Sequence, residues 1–211
     1  MAHHSAGRGY SSMSNSSYEK PDFWAQKAKK EGYPARSVYK LQEIDGKFGL
    51  VKKGARVLDI GAAPGSWSLW VLKRLAGSGF LAAVDLQALA IAPTEPAFRF
   101  VRGDLYDETI RAELASMGPY DLVMSDAAPA TTGNRFVDQS QSEAIVEAVI
   151  GYAETLLAPG GALVAKIFQG GAEAALLKRL RSRFSAARGF KPQACRTESF
   201  ETYLVATGFK G

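Results

Sequence analysis

A single cysteine, Cys195, excludes an internal disulfide, so nothing in the 211 residues requires an oxidising compartment. The two histidines, His3 and His4, stand side by side in a Ser/Gly-rich front segment, where solvation is the plain reading and no metal site is expected. No apolar run nears the roughly 20 residues that a membrane-spanning helix needs, and no signal-peptide apolar stretch follows Met1. The expectation is a cytoplasmic monomer without membrane contact. Acids are scarce at the front: residues 1–56 carry 11 Lys/Arg against 5 Asp/Glu, a surplus above the whole-chain net charge of +5. The remainder is therefore close to neutral. A basic front with Phe23, Trp24, Tyr33 and Tyr39 interleaved suits a polyanion bearing stackable bases, although a solvated helical face explains the charge equally well. A second basic cluster, LLKRLRSRF, is followed by Arg188 and Lys191.

Residues 1–17 lack apolar periodicity and read as a disordered tail; 18–211 read as one domain with basic helices over about 22–48. PDFWAQKAKKEG predicts a helix ended by Gly32, and ARSVYKLQEIDGKFG a second with Val38, Leu41 and Ile44 on one stripe. Strand and helix then alternate. The strand candidates are ARVLDIG, FLAAVDL, FRFVRGD, YDLVMSD, GALVAKIF, a short FKPQAC and ETYLVATG. Between them lie helical stretches, the last being AEAALLKRLRSRFSAA. Apolar strands separated by helices indicate an α/β fold, with a mostly parallel sheet covered on both faces. The last two strands are too close in sequence for a parallel crossover, so they pair antiparallel. That layout is the class I methyltransferase (Rossmann-like) fold.

The first strand runs into Asp59-Ile60-Gly61-Ala62-Ala63-Pro64-Gly65-Ser66-Trp67. Small residues there let a ligand approach the backbone at the carboxyl edge. A pyrophosphate loop needs GxGxxG; here Gly61 and Gly65 are four apart and Pro64 intrudes. Asp85 ends the second strand, placed for two ribose hydroxyls, and Gly103-Asp104 ends the third, placed for an adenine amino group. Ribose and base acids without a phosphate loop suit S-adenosylmethionine. Asp59 taken alone reads as readily as a turn or capping residue.

After the fourth strand comes Ser125-Asp126-Ala127-Ala128-Pro129. It lacks the Asn/Asp-Pro-Pro-aromatic motif of enzymes that methylate base nitrogens, and no cysteine nucleophile stands there. An acid beside Lys166, a lysine within an apolar strand, suits transfer to a hydroxyl; burying an ammonium is costly unless it is paired. DIGAAPGSW, MSDAAP, VAKIFQG and SFETYLVATG, preceded by ARSVYKL, resemble the FtsJ/RrmJ (RlmE) family of ribosomal RNA 2′-O-ribose methyltransferases from about Asp22 to Gly208. The resemblance implies a seven-stranded mostly parallel sheet with a C-terminal antiparallel strand. It places a Lys-Asp-Lys-Glu tetrad on Lys40, Asp126, Lys166 and Glu201, and cofactor contacts on Gly65, Trp67, Asp85, Asp104 and Asp126.

In the implied mechanism Lys166 takes the hydroxyl proton or stabilises the alkoxide. Asp126 and Glu201 brace Lys166, and Lys40 orients the hydroxyl or a phosphate. The basic front helices and the KRLRSRF helix would flank the carboxyl edge and cradle RNA phosphates. The implied substrate is a uridine of large-subunit (23S) ribosomal RNA. Transfer RNA and messenger caps are alternatives within the same chemistry, a non-catalytic RNA-binding assembly factor or a metal-dependent small-molecule methyltransferase outside it. The chain departs from the family at Ser66, Ala130, Glu198 and Phe200, positions that bear on substrate contacts.

Overall fold

Asp22, Asp107 and Asn134 each accept a backbone N–H at a helix start, and together with the glycine turns they punctuate a chain that otherwise alternates strand and helix. The computed structural model describes residues 22–90, 93–196 and 199–211. The front tail with His3 and His4, and Glu198, lie outside them. Helices α1 (Phe23–Lys30) and α2 (Val38–Phe48) precede the sheet. Strands β1 (Arg56–Ile60), β2 (Phe80–Asp85), β3 (Phe98–Arg102), β4 (Tyr120–Ser125), β5 (Leu157–Phe168), β6 (Phe184–Phe190) and β7 (Glu201–Phe209) follow, with α3 (Ser66–Leu75), α4 (Glu108–Ser116), α5 (Arg135–Leu156) and α6 (Glu173–Arg183) between them. The sheet order is β3-β2-β1-β4-β5-β7-β6. Only β7 is reversed: it pairs antiparallel with both β5 and β6, which therefore run the same way as each other. The expected mostly parallel sheet with a reversed C-terminal strand is the one observed.

Residue parity sorts the side chains. Leu58 and Ile60 of β1, Leu163, Ala165 and Ile167 of β5, and Leu204 and Ala206 of β7 pack with α5 and α6. Val57, Leu122, Met124, Val164, Tyr203 and Val205 pack on the other face with α2 and α3. Because side chains alternate along a strand, Asp59, Lys166 and Glu201 fall on this second face, where Lys40 of α2 also lies.

Two expectations are corrected. The sixth strand is Phe184–Phe190, not FKPQAC, and α6 ends at Arg183, short of the expected SAA. Leu176, Leu180 and Phe184 all join one core cluster at helical spacing, so Phe184 satisfies the helix period while opening a strand. Pro192 has no N–H for a ladder, and the segment after β6 instead turns onto α2. There the Gln193 and Ala194 N–H groups donate to Glu43 at 2.6 and 2.8 Å.

Asp45 closes α2 by accepting the buried Val51 N–H at 2.7 Å. Asp45→Ala strands that donor and should lower stability by about 1–3 kcal/mol in urea unfolding. A change within about 0.3 kcal/mol would show that the bond does not hold α2 to β1.

Candidate functional site

Two ion pairs occupy the carboxyl edge of the sheet on the α2 face. Lys166 Nζ donates to the Asp126 backbone carbonyl at 2.6 Å and lies 3.2 Å from Asp126 Oδ1. Tyr203, directly opposite Lys166 in the β5–β7 register, donates its hydroxyl to the same Oδ1 at 2.6 Å. Lys40 Nζ meets Glu201 Oε1 at 2.6 Å, and both side chains are almost covered. All four residues expected as a tetrad thus reach one region. Their pairing differs from expectation: Asp126 braces Lys166, whereas Glu201 is engaged by Lys40. The reason is geometric, since Glu201 stands opposite Phe168 at the start of β7 and meets Lys40 of α2.

Tyr203 escaped the sequence reading. Its signal was parity, because it lies two residues beyond Glu201 on the same face of β7. Burial, with Asp126 and Glu201 beside it, pushes its hydroxyl well above the ordinary value, so it serves as a fixed donor. Cys195 packs at the edge of the same cluster; burial, then the neighbouring Glu201, pushes its thiol up to about 12. That fits the packing role read from the sequence and leaves no thiolate to attack.

Beside the Lys166–Asp126 pair opens a cleft of about 390 Å³ whose lining includes Gly61, Asp85, Gly103, Asp126, Ala127 and Ile145. Gly61 has φ +74°, and a Cβ there would lie 2.4 Å from that of Ala127, so only glycine lets the β1 and β4 loops meet. Asp85 accepts the Ala63 and Gln87 N–H groups at 2.9 and 2.7 Å, which fixes its carboxylate at the cleft wall. Asp104 is exposed and accepts the Tyr106 N–H at 2.9 Å; its neighbours Gly103 and Leu105 line the cleft and Asp104 does not. Gly65 caps α3 at φ +110°, and Pro64 lies in the turn before it. Trp67 is buried, donates its indole N–H to Ser37 O at 2.9 Å and stacks on Tyr203 with centroids 5.9 Å apart. It forms the floor beneath the tetrad.

Asp59 is a fully enclosed carboxyl rather than a turn residue. Ser68 Oγ donates to one oxygen at 2.6 Å and the other, Oδ1, has no partner among the described residues. Burial drives its carboxyl up to about 7; the Ser68 bond opposes this, and nearby Asp126 and Asp85 add to it. A hollow of about 10 Å³, lined by Asp59, Pro64, Trp67 and Asp126 among others, adjoins it. The donor set fits S-adenosylmethionine: an acid at the β2 end, an apolar slot beside Gly103 and Ile145, no phosphate cradle, and an unsatisfied buried acceptor near Asp126.

A smaller cavity, about 270 Å³, is lined by Arg36, Lys40, Arg196, Ser199 and Glu201 and borders the second ion pair. Arg36 is held by Asp22 and by the Ala194 carbonyl. The KRLRSRF segment does not flank this edge, contrary to expectation. A crossover helix returns the chain to the start of the next strand, and β6 begins at Phe184, at the opposite, amino edge. A larger hollow, about 720 Å³ and bordered by Lys52 and Lys53, is also at that amino edge and gathers none of the candidate residues. Among the described residues no group of three or more His, Cys, Asp or Glu could hold a metal, and no helix is long and apolar enough to cross a membrane.

A family model described as FtsJ-like methyltransferase matches residues 33–209. The chain is 49% identical to the ribosomal RNA large subunit methyltransferase E of Treponema denticola, over 94% of this chain and 100% of that one. It is 45% identical to the protein of the same name from Oleidesulfovibrio alaskensis, over 90% and 92%. Among solved structures it resembles a putative ribosomal RNA methyltransferase from Plasmodium falciparum, with TM-score 0.74, 27% identity, and 85% and 100% coverage.

Folding raises the Asp59 proton affinity from the ordinary 3.8 to about 7, so the proton's contribution to stability is full below pH 3.8 and is lost as pH rises through 7. Asp59→Asn, a neutral isostere that still accepts from Ser68, should remove that loss. Its stability advantage over wild type should grow from pH 4 and level off above pH 7 at about 2–4 kcal/mol. Parallel stability curves across that range would mean that Asp59 is not carrying the proton.

Proposed function

This chain belongs to the FtsJ-like methyltransferase family, and on that premise we propose that it transfers a methyl group from S-adenosylmethionine to a ribose 2′-hydroxyl of large-subunit ribosomal RNA. The observation that carries the chemistry is the Lys166–Asp126–Tyr203 cluster at the mouth of the donor cleft. The names of the curated relatives support the ribosomal RNA substrate.

The donor supplies a sulfonium-bound methyl group, already electrophilic. What remains is to activate a poor nucleophile and hold it in line. An ammonium has three N–H groups, and Asp126 engages two of those on Lys166 through its carbonyl and carboxylate. The third is free to meet the 2′-oxygen, where it stabilises the charge that develops as the oxygen–carbon bond forms and the carbon–sulfur bond breaks. The hydroxyl proton passes to the Asp126 carboxylate, the one basic site of the pair while Lys166 is an ammonium. Tyr203 keeps the shared carboxylate oxygen in place, so the ammonium does not swing out. Asp85 and Gly103 hold the adenosine end of the donor. Lys40, fixed by Glu201, borders a cavity with Arg36 and Arg196 that suits a backbone phosphate of the substrate.

Lys166→Ala should lower methyl transfer to large ribosomal subunits by at least about a hundredfold while leaving S-adenosylmethionine affinity within about twofold. Lost donor binding in that variant would put Lys166 in the wrong role. Phosphate contacts release counterions, so the KM for the ribosomal substrate should climb steeply between 50 and 200 mM salt, by about tenfold or more. A salt-independent KM would exclude the basic rim from substrate binding.

A further inference from the structure

Phe136 is 83% exposed, the most exposed large apolar side chain among the described residues, and it sits at the first turn of α5, three residues before Gln139, whose side chain reaches Gln169 at the carboxyl end of β5. Its neighbour Arg135 is equally out of place. It is the first residue of α5, where the helix dipole disfavours a cation. Its guanidinium instead lies over the Phe200 ring, 5.3 Å from the centroid. Phe200 in turn packs edge-on against Phe168 with centroids 4.8 Å apart. Phe168 stands two residues beyond Lys166 on the same side of β5, about 7 Å further along the strand. It is also the register partner of Glu201. The row Phe168–Phe200–Arg135 therefore runs from the carboxyl end of β5, the strand that carries Lys166, to the residue that precedes Phe136.

The row is held rigidly. The Gln169 N–H donates to the Phe200 carbonyl at 2.7 Å, and the Gln139 side-chain amide donates to the Gln169 carbonyl, tying α5 to the end of β5. Asn134 caps α5, and Asp138 accepts both the N–H and the hydroxyl of Thr132 at 2.8 Å, which folds the preceding loop against the helix. Arg135 is thus engaged by Phe200, whereas the neighbouring Phe136 ring is left open to solvent. Two local rules are broken side by side at the rim of a site, the pattern that function imposes on a sequence.

We propose that Arg135 and Phe136 form a stacking platform for an unpaired nucleobase flanking the methylated ribose, an inference that rests on the RNA reading above. Flat rings stack bases of any identity because every base presents a π-face, and the arginine adds attraction to both base and backbone. Phenylalanine offers no hydrogen-bonding group, so the platform positions the strand without reading its sequence. It would seize a base that has left its own stack, holding the adjacent ribose against Lys166.

The test uses the full chain and large ribosomal subunits purified from cells lacking this protein, with radiolabelled S-adenosylmethionine. Phe136→Ala should raise the KM for subunits about tenfold while leaving kcat and donor affinity within about twofold, the scale of one lost base stack. Phe136→Trp should restore the KM, and Phe136→Leu, which keeps apolar area without a ring, should not. A wild-type KM in Phe136→Ala overturns the platform, as does full restoration by Leu, which would mark an apolar contact with a ribosomal protein. If wild type methylates no subunit at all, the RNA reading fails and this inference with it.

Discussion

The contact between Lys166 and Asp126 governs the arrangement of this molecule. An ammonium on an interior strand of a sheet costs several kcal/mol to desolvate, and a buried ion pair rarely repays that cost in stability. Replacing both residues by apolar ones would serve the fold as well or better. Retaining them makes sense only if the charge is needed where it sits. The surroundings agree: Asp126 meets the lysine with both carbonyl and carboxylate, and Tyr203 supplies a third group that fixes the carboxylate oxygen.

The sheet topology makes that contact possible. Parallel strands β4 and β5 end at the same edge, so the residue after β4 and the residue near the end of β5 are neighbours in space. The reversed β7 begins at that edge, which delivers Glu201 and Tyr203 from the other direction. Helix α2 crosses the same face and adds Lys40, whose pairing with Glu201 ties the front helices to the last strand. The donor cleft opens at the same edge, walled by the ends of β1, β2 and β3 and by the loop after β4, with Gly61 and Ala127 meeting in its wall. Two charge pairs, one cleft and one basic rim thus share a single edge because three strands terminate there.

Much of this was legible in the residues, for physical reasons that differ by element. Strands β1, β2, β4 and β5 announce themselves as apolar runs because both their faces are covered, whereas β3 is an edge strand whose Arg99 and Arg102 are exposed. Lys40, Asp126, Lys166 and Glu201 were singled out as a set by the motifs that resemble the family, and each sits in a short stretch whose strand or helix could be read locally. Partnership was not legible: which acid faces which lysine depends on register and on the path of α2, and neither is local. Asp104, at its strand end, is exposed and its carboxylate accepts the Tyr106 N–H, a local turn contact that the strand-end position alone does not reveal. Phe184 hid the start of β6 by matching the helical period. The KRLRSRF cluster was charged as read, but its edge of the sheet follows from strand direction. Tyr203 required the register, because a tyrosine in an apolar strand otherwise reads as packing.

A crystal structure of the chain with S-adenosylhomocysteine bound tests the central claim most directly. The adenosine should lie between Asp85 and Gly103, with the sulfur facing the Lys166–Asp126 pair and Lys166 Nζ still in contact with Asp126. A cofactor lodged in another hollow, or Lys166 swung into solvent away from Asp126, would contradict that claim.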